Sequence, residues 1–151
     1  LAAPRSTLTT DALVRDPSVR APVGATRILV VDDNVDAAEA MKRWLELEGH
    51  VVAVAYNGSS ALEEAERFGP RIVLLDLGLP VMNGYEVAEE MRRRKLAADA
   101  IIVAVSGYGQ DRDRERAREA GIPHYFVKPV DPRDLRLLIR KASARPVGLA
   151  P

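Results

Sequence analysis

The sequence contains no cysteine among its 151 residues. This absence excludes a disulfide scaffold, a cysteine-ligated zinc or iron–sulfur centre and a cysteine nucleophile. An excess of one charge is missing as well, because 22 basic and 22 acidic residues give a formal net charge of zero. A chain of balanced charge is a poor candidate for binding nucleic acid through the phosphates.

Long hydrophobic runs are also absent. No run approaches the roughly 18 apolar residues that a membrane span requires, and the first residues lack the pattern of a signal peptide. We therefore expect a cytoplasmic protein with no membrane contact. Residues 1–26 and 143–151 mix proline, serine, glycine and alanine without sustained periodicity. They indicate a linker and a flexible C-terminal tail on either side of one domain at 27–142.

Five short apolar runs recur within this domain. Runs without polar alternation are typical of strands that are covered on both faces, and each interval between them has room for one helix. Helix signals agree, since Asn34 can cap the first helix and Asp131-Pro132 can begin the last. The sequence therefore predicts an α/β fold, a single domain with a parallel sheet of five strands and five helices. The predicted strands are 28–31, 51–55, 72–75, 101–105 and 125–127.

The fourth predicted helix, at residues 110–120, contains no Leu, Ile or Val. Its candidate core face consists of little more than Ala117 and Ala120. The repulsion within its like-charged pairs roughly cancels the attraction within its opposite-charged pairs. Because a helix with few apolar contacts opens at low cost, we expect its backbone amides to exchange with solvent faster than those of the other helices.

Polar side chains follow four of the five apolar runs. Asp32 and Asp33 follow the first run, Asp76 the third, Ser106 the fourth and Lys128 the fifth. In an open parallel sheet these strand ends meet at one edge, where ligands bind. Three neighbouring carboxylates repel one another, so either one of them is protonated or a cation binds between them. A site whose ligands are all oxygen atoms suits Mg²⁺. A carboxylate is then the available nucleophile for phosphoryl transfer.

Four sequence strings at these strand ends resemble the receiver domain of two-component response regulators. They are ILVVDDN, IVLLDLGLPVMNGYE, IVAVSGYG and YFVKPVD, and they occur in this order. The resemblance extends from about residue 27 to residue 141. It implies a flavodoxin-like, doubly wound sheet with the strand order 2-1-3-4-5.

The resemblance also implies a role for each acidic residue. Asp76 matches the phosphoacceptor. Asp32 and Asp33 match the acidic pair that holds Mg²⁺ together with Asp76, and Mn²⁺ is expected to substitute. The backbone carbonyl of Gly78 falls at a further metal-ligand position.

Four other residues match positions that contact or report the phosphoryl group. Lys128, Ser106 and Gly107 match phosphoryl-binding positions, and the peptide bond that follows the lysine is usually cis in the family. Ser106 and Tyr125 match the pair of switch residues. Because the fourth helix begins shortly after Ser106, movement of this hydroxyl would act directly on the start of that helix.

The resemblance implies a phosphohistidine as the phosphoryl donor, on a histidine kinase or a histidine phosphotransfer domain. The strings DDNVDAAEAMKRWLELEGHVV and GIPHYFVKPVDP are most similar to receivers fused to hybrid sensor histidine kinases. The domain itself would catalyse only its own phosphorylation and dephosphorylation, whereas the parent protein would be a kinase. We expect a monomer or a weak dimer.

Three alternatives remain at this point. The first is a stand-alone, single-domain response regulator. The second is a phosphatase of the haloacid-dehalogenase type, which needs a second aspartate where this chain has Gly78. The third is a dinucleotide-binding domain, but no GxGxxG motif follows the first apolar run.

Overall fold

The computed structural model describes residues 25–107, 109 and 111–143. Its centre is a five-stranded parallel sheet in the order β2-β1-β3-β4-β5. The α/β fold, the five strands and the predicted order are therefore confirmed. The strands are β1 (Arg27–Val31), β2 (Val51–Ala55), β3 (Ile72–Asp76), β4 (Ile101–Ser106) and β5 (His124–Val127).

Five helices connect and flank the strands, as predicted. Asparagine side chains cap three of them, since Asn34, Asn57 and Asn83 each accept a hydrogen bond from a backbone N–H of the first turn. The helices are α1 (Val35–Leu47), α2 (Gly58–Phe68), α3 (Gly84–Arg94), α4 (Asp111–Glu119) and α5 (Pro132–Ser143). Residue 110, the predicted first residue of α4, lies outside the described residues.

The alternation of side chains along the strands divides the core into two layers. Leu29 and Val31 of β1 point to one face, where they pack with buried residues of α2, α3 and α4. Ile28 and Val30 point to the other face and pack with buried residues of α1 and α5. Burial on both faces explains why the runs lack polar alternation. None of the helices in the described part of the chain is long and apolar enough to cross a membrane.

The edge of the sheet opposite the predicted site joins the two ends of the described domain. The Thr26 backbone N–H donates to Nδ1 of His50 at 3.1 Å. The hydroxyl groups of Thr26 and Ser143 form a hydrogen bond. Thr26, the last residue of the predicted linker, is buried, and Ser143, the first residue of the predicted tail, is the last residue of α5. Residues 1–24 and 144–151 lie outside the described residues.

Replacement of His50 by Gln tests the contact with Thr26 through its pH dependence. Burial lowers the pKa of His50 below its ordinary value of 6.5. The unfolded chain therefore takes up a proton more readily as the pH falls through that value, and the free energy of unfolding decreases. The wild-type protein should lose more stability than His50→Gln between about pH 7 and about pH 5, as measured by urea denaturation. His124 is present in both proteins, so its titration contributes equally to both. An equal loss of stability in the two proteins would therefore contradict this interpretation of His50.

Candidate functional site

Backbone hydrogen bonds fix the polar residues at the carboxyl edge of the sheet. The N–H of Asp32 donates to the carbonyl of Ala55 at 3.1 Å, and the N–H of Lys128 donates to the carbonyl of Ser106 at 2.8 Å. Asp76 is still within β3, where it pairs with Val105. The predicted third and fourth strands therefore ended one residue too early, since Asp76 and Ser106 still belong to the ladder.

Three carboxylates meet at this edge. Asp32, Asp33 and Asp76 each offer a carboxylate oxygen, and these three atoms lie within 4.8 Å of one another. Asp32 and Asp76 are each 8% exposed, whereas Asp33 is open to solvent. The structure thus brings together the three acidic residues that the sequence singled out.

Lys128 lies against two of the three carboxylates. Its Nζ atom is 3.3 Å from Oδ2 of Asp32 and 3.3 Å from Oδ2 of Asp76. The other oxygens are held by backbone donors, because Asn34 N–H contacts Oδ1 of Asp32 at 2.9 Å and Gly78 N–H contacts Oδ1 of Asp76 at 2.8 Å. Each of these two carboxylates therefore has one oxygen that is fixed by its own turn and one that faces the lysine.

Burial and neighbouring charges shift the pKa values of two groups in this cluster. Burial raises the pKa of Asp76, and the Gly78 N–H and the Lys128 ammonium oppose this effect only in part. Burial would lower the pKa of Lys128, but the carboxylates of Asp76 and Asp32 raise it above its ordinary value. Asp76 thus favours its neutral form because it is buried, whereas the ammonium form of Lys128 is stabilised by the two carboxylates.

The donor set fits a small divalent cation. It contains only carboxylate oxygens, which are the ligands that Mg²⁺ prefers, and one of the three carboxylates is open to the solvent from which the ion and its waters would come. The role of the Gly78 carbonyl as a further ligand stays a prediction.

The remaining predicted residues occupy neighbouring positions. Ser106 ends β4 beside Val127, is 5% exposed and precedes the exposed Gly107. The peptide bond between Lys128 and Pro129 is cis, as the resemblance implies. Tyr125 pairs with Ala104, two residues before Ser106, and packs against the α2–α3–α4 core layer.

Sequence reasoning missed two features around the site. A cavity of about 410 Å³ opens beside Asp32, Asp76 and Lys128, and Met41 of α1, which is half-buried against the α1–α5 core layer, lines it. The other feature is the guanidinium of Arg114, which lies over the ring of Tyr125. No local pattern indicates either, because both depend on residues that are far apart in sequence.

The family model of the response regulator receiver domain matches residues 28–140 of this chain. An uncharacterized 14.6 kDa protein in the sodA1 3′ region of Leptolyngbya boryana is 35% identical over 114 residues, which make up 76% of this chain and 87% of that protein. The transcriptional regulatory protein ResD of Bacillus subtilis (strain 168) is 34% identical over 122 residues, or 78% of this chain. The chain spans only 50% of ResD.

A solved structure of a receiver domain is also similar to this chain. The receiver domain of the sensor histidine kinase PA1611 from Pseudomonas aeruginosa PAO1 is similar to this chain with a TM-score of 0.73 and 27% identity. The similarity covers 81% of this chain and 100% of that one. The PA1611 crystal contains a magnesium ion coordinated in its active site cleft.

The start of α3 lies so close to the site that it requires glycine. A Cβ atom on Gly84 would lie 2.6 Å from the carbonyl oxygen of Asp76 and 2.8 Å from Cα of Leu77. Gly84→Ala should therefore push the backbone of Asp76 aside and lower the free energy of unfolding by about 1–3 kcal/mol. Chemical denaturation measures this loss.

Gly58→Ala is the matched control, because Gly58 is likewise the first residue of a helix behind a capping asparagine. A Cβ on Gly58 would lie 2.9 Å from Cβ of Met82, which is half-buried in the loop before α3 rather than in a strand backbone. We expect a smaller loss for Gly58→Ala. Equal losses for the two variants would show that the backbone of Asp76 does not resist displacement.

Proposed function

This chain belongs to the response regulator receiver domain family, the receiver domain of two-component signal transduction systems, and we propose that Asp76 is its phosphoacceptor. The observation that carries the proposal is the position of the Asp76 carboxylate, which is buried at a strand end, grouped with two other carboxylates and 3.3 Å from the Lys128 ammonium. The phosphoryl donor is a phosphohistidine of a histidine kinase or a phosphotransfer protein, the partners with which receiver domains interact.

The transfer makes one bond and breaks one. An oxygen of the Asp76 carboxylate attacks phosphorus, the bond between phosphorus and the donor imidazole nitrogen breaks, and the imidazole leaves with the electron pair and takes up a proton. Because little covalent chemistry is required, the protein contributes position and charge. The Gly78 N–H holds one Asp76 oxygen, which leaves the other to act as the nucleophile. Water later attacks the aspartyl phosphate and releases inorganic phosphate.

Asp32, Asp33 and Asp76 would hold Mg²⁺, with the Gly78 carbonyl as a further ligand and Mn²⁺ as a substitute. Receiver domains bind Mg²⁺, which when bound supplies positive charge to neutralise the carboxylates and the phosphoryl oxygens. The carboxylate oxygens of this chain that lie within 4.8 Å of one another support the assignment.

Lys128 and Ser106, together with the backbone of Gly107, would bind the phosphoryl oxygens. The lysine already contacts Oδ2 of Asp76, so a phosphoryl group on that oxygen would come within its reach. Ser106 and Tyr125 would act as the switch pair, since the hydroxyl stands at the end of β4 and the ring lies beside this strand on β5.

The parent protein is proposed to be a hybrid sensor histidine kinase, with this domain as a monomer or weak dimer. The PA1611 receiver, which comes from a sensor histidine kinase, supports this origin. A stand-alone response regulator is the second candidate, because the similar protein from Leptolyngbya boryana has a mass of only 14.6 kDa. The phosphatase alternative has no such support, since Gly78 offers no acidic side chain.

Phosphorylation of Asp76 can be tested with acetyl phosphate and Mg²⁺. We expect the wild-type protein to gain one phosphoryl group and Asp76→Asn to gain none, as measured by intact mass. Asp99→Asn is the matched control, because Asp99 is an exposed aspartate beside a cavity at the opposite edge of the sheet. Phosphorylation of Asp76→Asn at the wild-type rate would disprove the assignment.

Two further variants separate metal binding from phosphoryl binding. Asp33→Ala should lose most Mg²⁺ affinity and most phosphorylation, because it removes an exposed ligand of the acidic cluster. Lys128→Ala should still bind Mg²⁺, yet its phosphorylation should slow by about 10²-fold, as expected when one charge-stabilising donor is removed. Titration calorimetry measures the first property and intact mass against time the second. Normal phosphorylation of Asp33→Ala would contradict the site.

A further inference from the structure

Helix α4 is held to the rest of the domain in a different way from the other helices. Among residues 111–119 only Ala117 is buried, whereas each of the other four helices buries at least two side chains. The expectation of a small apolar face is thus confirmed, and other contacts must help to hold α4 in place.

Arginine side chains supply contacts to α3. The guanidinium carbon of Arg116 lies 4.2 Å from the ring centroid of Tyr85, which is buried. The Tyr85 hydroxyl donates to the carbonyl of Asp113 at 3.3 Å. Just beyond the C-terminal end of α4, a Cβ on Gly121 would lie 1.7 Å from a guanidinium nitrogen of Arg92, so the Arg92 side chain packs against the turn that follows this helix. These contacts join α4 to α3 along its length.

The contact with the sheet is of a different kind. The guanidinium carbon of Arg114 lies 4.9 Å from the ring centroid of Tyr125 on β5. Arg114 is exposed and Tyr125 is half-buried at the margin of the core. A guanidinium over an aromatic face is attractive only while the ring presents that face, so the contact depends on the conformation of Tyr125.

We propose that Arg114 is a positioning residue, which holds the Tyr125 ring in the conformation seen here and couples that conformation to α4. The contact with Tyr125 is broken when the ring turns, whereas the contact of Arg116 with Tyr85 persists. α4 then moves with α3 relative to β5 instead of unfolding. The proposal rests on the proposed function, because phosphorylation of Asp76 is what would turn the ring.

The expected strength of the contact suits a switch. An exposed arginine over an aromatic ring shifts an equilibrium by about two- to five-fold. A bias of this size favours one of two conformations without excluding the other. A buried apolar contact in its place would resist the change of state more strongly.

A double-mutant cycle tests the contact in the free protein. Arg114→Lys keeps the charge but removes the planar group, and it should speed amide exchange in residues 111–119 by about two- to five-fold. Arg114→Lys should have no further effect in a Tyr125→Leu background, but should keep its effect in a Tyr125→Phe background, which retains the ring. Additive effects of Arg114→Lys and Tyr125→Leu would overturn the proposal.

The same variants are then compared in the presence of beryllofluoride and Mg²⁺, which mimic the phosphoryl group. The effect of Arg114→Lys should disappear, whereas Arg116→Lys should speed exchange in α4 with and without the mimic. Arg118→Lys is the matched control on the same helix and should change neither state. An undiminished effect of Arg114→Lys with the mimic bound would show that the contact is permanent and would overturn the coupling.

Failure of the proposed function has a separate signature. If beryllofluoride leaves the amide of Gly78 unchanged in the wild-type protein, the phosphoryl site itself is wrong, and the coupling to phosphorylation falls with it. The cycle in the free protein would still decide whether Arg114 positions Tyr125.

Discussion

The repulsion among Asp32, Asp33 and Asp76 is the constraint on which the rest of the structure depends. Two like charges 4 Å apart interact by about 4 kcal/mol near a protein surface, which is comparable to a large part of a domain's stability. The carboxylates cannot separate, because the parallel register of β1 and β3 places Val31 beside Leu75 and so fixes the residues that follow. Repulsion is therefore built into the backbone, and only positive charge relieves it.

The two core layers hold these strand ends in place. β1 and β3 are covered on both faces by apolar side chains, with Ile28, Leu29, Ile72 and Val73 completely buried. Opening the sheet to relieve the repulsion would expose this apolar surface, at about 25 cal/mol for each Å². Lys128 relieves part of the repulsion by approaching two of the carboxylates, and three carboxylates against one ammonium leave an edge that attracts a further cation.

The sequence predicts this part of the molecule well, because the information is local. Apolar runs mark the strands, capping residues mark the helices, and the polar residues at the ends of four of the runs fall at the common edge. The predicted ends of β3 and β4 were one residue short, since Asp76 and Ser106 are polar and yet continue the backbone ladder. The contacts of Thr26 with His50 and of Arg114 with Tyr125 could not be predicted. Each joins residues that are distant in sequence, and no spacing rule relates them.

The domain therefore combines two kinds of attachment. The acidic cluster is fixed by backbone hydrogen bonds and by a close-packed core, so charge added there cannot be absorbed by rearranging the strands. α4 buries one side chain and is joined to its neighbours by Arg114 and Arg116, whose individual contacts are weak and can be exchanged. Under the coupling proposed above, a change in charge at this fixed edge would move the least firmly held neighbouring element. That element is α4, because its own residues bury only Ala117 and its contact with β5 is a single exposed arginine over a ring.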